Sequence, residues 1–412
     1  MMRSILRYGR STCVRLTLIM CLALGLRVIV LLWIGDSRVP WQLEYEEIAD
    51  NLAARGQYAY SFYGLTASHP TSFLPPVYPL FLAFTRRFFP SPDQIAKIIQ
   101  LCLSTLTLLS LYGLTREVGG STDQATLAAL LMAIYPPVIF YSVDLTTTAL
   151  EILFGLSGIW LAIRMVRRNS ARLAVAAGSL LSLAALTRST WIVLIPLALL
   201  WAAWYHWRRW RQLIPFALSA VITLAPWGLY NYVTHGVLTI TSTNGGLNFW
   251  IGNNPQATGE YVFPTDIDRS LIMSVADLPE VQQDRFFYER GWEFIRSSPA
   301  RFIQLSSRKL WYYVFFRPNI GSNYESTALP LDLARWAFVA AWLMLLLFAL
   351  LGVGALKSNW REHLWLFLIW LSQAGLAMVY FAGTRFRAPF DVLVIIWAAA
   401  GLLSVARRLR WA

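Results

Sequence analysis

The chain has 412 residues, of which 57% are hydrophobic and only 14% charged, with a formal net charge of +13 and a mean hydropathy of +0.50. Water-soluble domains carry about 25% charged residues, so this composition excludes one and indicates a polytopic membrane protein. Only Lys97, Lys309 and Lys357 among the 35 basic residues are lysines, and the arginines gather at the ends of apolar runs rather than on one face, which argues against a nucleic-acid partner.

The first apolar run, near 14–34, follows basic residues and precedes no small-residue cleavage site, so it is expected to be a retained helix. Cys13, Cys21 and Cys102 lie in or beside apolar spans and suggest neither a disulfide framework nor a zinc site. Just beyond the first run, Leu43-Glu44-Tyr45-Glu46-Glu47-Ile48-Ala49-Asp50 gathers four carboxylates. On a helix Glu44 and Glu47 share one face and Glu46 and Asp50 another. Acids massed at the mouth of a membrane bundle fit cation handling or general-base catalysis at the membrane surface. His69-Pro70-Thr71-Ser72-Phe73-Leu74-Pro75-Pro76-Val77-Tyr78-Pro79 then stiffens the backbone where the chain returns to the membrane. The run at 75–89 is short, proline-rich and carries Arg86-Arg87, which predicts an interfacial or re-entrant segment rather than a span.

Further apolar runs fall near 94–115, 123–138, 148–163, 172–187, 190–206, 213–233, 335–356, 363–382 and 389–406. Clusters at Arg3/Arg7/Arg10, Arg164/Arg167/Arg168/Arg172, Arg208/Arg209/Arg211, Lys357/Arg361 and Arg407/Arg408/Arg410 should all face the cytoplasm. With 75–89 left out, an even number of spans separates each cluster from the next. The chain is thus expected to be an all-α polytopic membrane protein of about ten spans with both termini cytoplasmic. Two long outer loops follow, about 35–93 and 234–334, dividing the chain into 1–233, 234–334 and 335–412. In the second loop, 240–260 is rich in turn formers and aromatics, and 281–316 predicts amphipathic juxtamembrane helices.

A Tyr-x-x-Ile-Ala-x-x-Leu run in an acidic first outer loop, Gly56-Gln57-Tyr58, and Pro75-Pro76-Val77-Tyr78-Pro79 occur here in a telling order. Tyr135-Pro136-Pro137, Leu186-Thr187-Arg188, Asn231-Tyr232, Gly245-Gly246-Leu247-Asn248, Gly252-Asn253-Asn254-Pro255 and Arg385-Phe386-Arg387-Ala388-Pro389 follow. Together they resemble the bacterial GT-C glycosyltransferases of the family 39 type, related to protein O-mannosyltransferases, lipid A aminoarabinose transferases and rhizobial lipopolysaccharide core transferases. The resemblance implies a GT-C fold whose first seven spans form the catalytic module. It implies an inverting glycosyltransferase of the bacterial inner membrane, active on the periplasmic face, that moves a sugar from a polyprenyl-phosphate carrier to a hydroxyl of a lipid, glycan or protein.

The resemblance puts Glu44 where relatives keep an acid before the Ile-Ala element, making it the expected catalytic base, with Glu47 second. Relatives of two types place an Asp-Glu pair where this chain has Trp41 and Gln42. Arg385, Arg387 and Arg188 are the expected donor-phosphate ligands, because they lie on the outer side against the inward preference of arginine. Asp144, His69, Tyr78 and Asn231 are the expected cavity residues. No cofactor is certain and no metal ligands are assigned, although a divalent metal is compatible with so acidic a mouth. Two other functions fit the same composition: an O-antigen ligase-type transferase, and a lipid-linked sugar transporter without chemistry. A transporter would rely on ionisable groups inside spans, for which Arg15, Arg27 and Glu151 are the candidates.

Overall fold

A computed structural model describes residues 2–34, 43–205, 207–316, 331–354 and 359–411. Asp36, Trp41, Gln42 and Lys357 lie outside the described residues. The chain begins with α1 (Met2–Ile34), α2 (Leu43–Arg55), a two-stranded hairpin of β1 (Ala59–Tyr60) and β2 (His69–Pro70), α3 (Val77–Phe88), α4 (Pro92–Glu117), α5 (Thr122–Ala133) and α6 (Pro136–Val143). It continues with α7 (Thr148–Arg168), α8 (Ala171–Thr187), α9 (Leu194–Tyr205), α10 (Leu213–His235), α11 (Gly245–Gly252) and α12 (Pro264–Val275). It ends with α13 (Glu280–Ser297), α14 (Pro299–Trp311), α15 (Leu331–Val353), α16 (Trp360–Val379) and α17 (Thr384–Trp411).

Among the described residues, α1, α4, α7, α10, α15, α16 and α17 are each long and apolar enough to cross a membrane. The bent pair α5–α6 makes an eighth such segment, and the shorter apolar helices α8 and α9 (with the turn before it) fall on the two remaining expected runs. The protein is an all-α, multi-pass membrane protein. α3 is 12 residues long, buries Tyr78 and Leu82 and exposes Leu80, Phe84 and Phe88, so it is too short to span and amphipathic enough to lie in an interface.

The 52° bend between α5 and α6 has a local cause. Pro137 has no N–H to give the Ala133 carbonyl four residues back, so the helix breaks there. Arg27, wholly buried in α1, donates from Nη1 to that carbonyl at 3.4 Å and from Nε to Ser104 Oγ at 3.1 Å. The break redirects the chain so that Tyr141 and Asp144 line the cavity beside the turn before α7.

Packing inside the bundle rests on large rings. Trp201 stacks on Trp365 at 4.6 Å, and Trp191 stacks on Phe390 at 4.6 Å. The stretch at 240–260, expected to be turns, instead folds around α11, whose Leu247, Phe249, Trp250 and Ile251 are buried. Glycine permits this. A Cβ at Gly246 would lie 1.9 Å from the Asp284 carbonyl oxygen, and one at Gly252 would lie 1.7 Å from that of Tyr380. Gly252→Ala is therefore expected to push α11 off the end of α16 and lower the melting temperature, measured by fluorescence-detected unfolding in detergent.

The segment between β2 and α3 and the segment between α10 and α11 are tied together through Glu280, at the start of α13. Its carboxylate accepts from Thr71 Oγ1 at 2.5 Å, from Ser72 N at 2.8 Å and from the Thr243 hydroxyl, with His235 Nε2 3.6 Å away. Glu280→Ala would leave three buried donors without an acceptor, a loss of about 3 kcal/mol or more. The expected result is a clear drop in thermal stability that Glu280→Gln only partly restores, because an amide offers one acceptor oxygen in place of two.

Candidate active site

The acidic helix α2 and the start of α17 meet at one cavity of about 530 Å³. Glu44, in the first turn of α2, and Arg385, in the first turn of α17, both line it, as do Asp144 and Arg188. Four segments far apart in the chain thus converge: the start of α2, the α6–α7 turn, the α8–α9 turn and the start of α17. Tyr45, Tyr63, Tyr261, Tyr288 and Tyr380 make much of the remaining wall. A volume of this size suits a small-molecule ligand.

Burial and charge set the chemistry of Glu44. Removal from water raises its carboxyl from the ordinary 4.5 to about 7; its helix backbone and Arg385 pull the other way, while Glu47 adds a further push upward. A carboxyl poised near neutrality suits a general base, because it is half ionised at the working pH and still accepts a proton. Phenols nearby respond in kind. Tyr60 and Tyr261 are pushed above the usual phenol range by burial, and the Glu44 charge adds to the effect.

Arg385 is held by one contact, from Nη2 to Thr147 Oγ1 at 3.4 Å, and its Nε is buried with no hydrogen-bond partner. Arg188 lies with its guanidinium 4.2 Å from the centre of the Phe386 ring and pairs with Glu151 at 3.2 Å. Glu151, 1% exposed, also accepts from Trp191 Nε1 and from the Thr147 hydroxyl. Thr147 therefore links the two cavity arginines through one buried carboxylate.

Comparison with known proteins places the chain. The family model described as dolichyl-phosphate-mannose-protein mannosyltransferase matches residues 69–230. The oligosaccharyltransferase of Archaeoglobus fulgidus in its apo form superposes with a TM-score of 0.55 at 17% identity, covering 97% of this chain and 51% of that one. Its complex, named AglB, with an inhibitory peptide and a dolichol-phosphate gives 0.50 at 16%, covering 94% and 51%. This chain has the GT-C fold. ArnT from Cupriavidus metallidurans bound to undecaprenyl phosphate gives a TM-score of 0.44 at 15% identity, over 94% of this chain and 77% of that one. The chain spans about half the length of the archaeal oligosaccharyltransferase. No curated protein matches it by sequence.

Within this GT-C bundle the expected site residues divide. Glu44, Asp144, Arg188 and Arg385 share the cavity, whereas Glu47, Arg387, His69, Tyr78 and Asn231 are not in its wall. Glu47 accepts from Ser61 Oγ at 2.9 Å and braces the loop after β1. Tyr78, fully buried, donates to Gln100 Oε1 at 2.9 Å and meets Tyr45 edge-on at 5.3 Å, supporting a cavity residue from behind. Asn231 accepts from Ser72 Oγ and donates to the Thr239 carbonyl, both at 2.5 Å, so it belongs to the same strut as Glu280. His69 pairs with Tyr60 in the hairpin, its Nδ1 3.1 Å from the Ala67 carbonyl.

Arg387 has a different task from Arg385. The two were expected in a turn between spans, but both lie in the first turn of α17. Residues two apart on a helix point about 200° away from each other. Arg385 accordingly faces the cavity while Arg387, 1% exposed, faces the core. There it pairs with Asp391 at 3.0 Å, donates to the Tyr313 carbonyl at 2.8 Å and lies 3.9 Å from the Trp342 ring centre.

Sequence reading missed Tyr63, Tyr261, Tyr288 and Tyr380 of the cavity and the Glu280 strut, and marked Glu151 only as an in-span charge, not as the partner of Arg188. The tyrosines look like ordinary interfacial residues, and no spacing rule marks them. Glu280 opens an amphipathic helix whose charges resemble a solvated face. Among the described residues, no group of three or more His, Cys, Asp or Glu side chains converges as a metal would require.

Proposed function

We propose that the protein is an integral-membrane inverting glycosyltransferase that moves a sugar from a polyprenyl-phosphate donor to a hydroxyl acceptor. Glu44 is the base, and Arg385, with Arg188 beside it, holds the lipid phosphate. The observation that carries this reading is the cavity that joins a carboxyl poised near pH 7 to an arginine with an unpartnered nitrogen. The acceptor hydroxyl gives its proton to Glu44 while its oxygen bonds to the anomeric carbon. The bond from that carbon to the phosphate oxygen breaks, and the phosphate leaves with the electron pair. Arginine stabilises the charge that collects on the departing phosphate.

Residues 1–233 form the catalytic module in this reading, 234–334 the outer loop that closes it, and 335–412 the segment that supplies Arg385. The arginine clusters argue for an active site on the periplasmic face of a bacterial inner membrane, with both termini cytoplasmic. The archaeal oligosaccharyltransferase was captured with a dolichol-phosphate and a peptide, which supports a lipid-linked donor and leaves the acceptor class (lipid, glycan or protein) to experiment. A transporter without chemistry is less well supported. Arg15 bonds Asp123 at 3.3 Å, Arg27 binds the broken helix and Glu151 pairs with Arg188, so each of these three in-span candidates already has a structural partner.

The reading is tested by adding undecaprenyl phosphate to the purified protein and following heat unfolding. A rise in melting temperature that grows with lipid concentration is expected. Its absence in wild type would remove the lipid-phosphate assignment.

A further inference from the structure

One stretch of the cavity wall is built from hydrogen-bonding groups that the protein itself leaves unused. Tyr313, just after α14, Gln373 in α16, and Thr384 at the start of α17 all line the cavity and are 2%, 5% and 4% exposed. Tyr313 Oη, Gln373 Nε2 and Thr384 Oγ1 have no hydrogen-bond partner, and neither does the adjoining Arg385 Nε. A buried polar atom without a partner is costly, and natural cores hold few of them. Four such atoms belong to residues that line one cavity, which points to a ligand that completes their bonds.

The chemistry of the wall narrows the ligand. Arg385 is its only charge. The other three groups are two hydroxyls and an amide nitrogen, neutral donors that match the oxygens of a polyhydroxylated ring rather than a second phosphate, which would call for charge-assisted bonds. Leu376 and Ala377, one turn beyond Gln373 on α16, give the same wall an apolar floor. Thr384 directly precedes Arg385, so whatever is bonded to a phosphate held by Arg385 comes within reach of this wall.

We propose that Tyr313, Gln373 and Thr384 form the subsite for the glycosyl ring of the lipid-phosphate donor and select the sugar by its hydroxyls. The assignment rests on the reading above that Arg385 holds the lipid phosphate. A wall built to bond a hydroxyl discriminates strongly against a sugar that lacks it, since its own buried groups then stay unpaired.

The test uses the full chain in detergent, bare undecaprenyl phosphate, and a panel of undecaprenyl-phosphate-linked hexoses and pentoses. Wild type is expected to bind at least one glycosylated lipid more tightly than the bare one. Tyr313→Phe and Gln373→Leu should each weaken that glycosylated lipid about tenfold, one lost hydrogen bond left uncompensated, and change binding of bare lipid by less than about twofold. Both variants should melt no lower than wild type without ligand, because the atoms removed bond nothing in the protein. The subsite is overturned if no glycosylated lipid binds better than the bare one, if both lipids weaken equally, or if the ligand-free variants are destabilised. If wild type binds neither lipid, the phosphate reading beneath the subsite fails first.

Discussion

Replacing Glu44 with glutamine is expected to slow sugar transfer by about 10²–10⁴, the usual value of a positioned general base. The same change should make the protein more stable at alkaline pH. Burial holds the Glu44 carboxyl at about 7 against an ordinary 4.5. The folded state therefore favours the protonated acid. That contribution is fully present below about pH 4.5 and is lost as pH rises through about 7. Above that range the wild type holds a poorly solvated carboxylate, whereas glutamine cannot ionise. The stability advantage of Glu44→Gln should thus grow from near zero at pH 4 to about 2 kcal/mol at pH 8, scaling the shift down for a half-buried group. Wild-type transfer should rise with pH through about 7. Near wild-type turnover in the variant, or melting curves that stay parallel from pH 4 to 8, would contradict the assignment.

Arg385 and Arg387, two residues apart, should fail in opposite ways when truncated. Arg385→Ala removes a cavity group held by one long contact, so melting should stay close to wild type. Protection by undecaprenyl phosphate should disappear, and kcat/KM for transfer should fall by about 10²–10³, as when one preorganised donor to a developing anion is lost. Arg387→Ala instead leaves Asp391, 0% exposed, as a buried carboxylate without its partner. That should cost about 3–5 kcal/mol and reduce the yield of folded protein. The double variant Arg387→Met with Asp391→Leu, which removes both charges, should recover most of that stability. Binding of lipid phosphate should return with the fold, because neither residue lines the cavity. If Arg385→Ala proved the unstable variant, or the folded double variant bound no lipid phosphate, the division of labour proposed for α17 would be wrong.

Much of the architecture could be read from the chain before any coordinates. Apolar length marked ten segments, because a bilayer fixes the length of a span; eight of them, counting the bent α5–α6 pair, are long and apolar enough to cross, while α8 and α9 are shorter. The parity count between arginine clusters singled out 75–89, which the fold shows as the short amphipathic α3. Arg188 and Arg385 stood out as charges against the inward preference of arginine, and Glu44 and Asp144 through the family resemblance; all four line the cavity. Arg387 looked identical in sequence to Arg385. Only the start of α17 at Thr384 shows that the pair is helical, and that its members must therefore face different ways. His69, Tyr78 and Asn231 were near the site in sequence but serve as its scaffold, since side-chain partners such as Gln100 and Ser72 are set by long-range packing. The glycines of 240–260 signal turns in isolation. In the fold they allow α11 to touch α13 and the end of α16, a close approach that local pattern does not reveal.

The most direct measurement is a structure of the protein with undecaprenyl phosphate bound, by electron microscopy or crystallography. The phosphate is expected within hydrogen-bonding distance of Arg385, in the chamber that Glu44 lines, with the lipid tail leaving toward the bilayer. Phosphate density at Arg387, or on the opposite end of the bundle near the Arg164–Arg172 cluster, would contradict it.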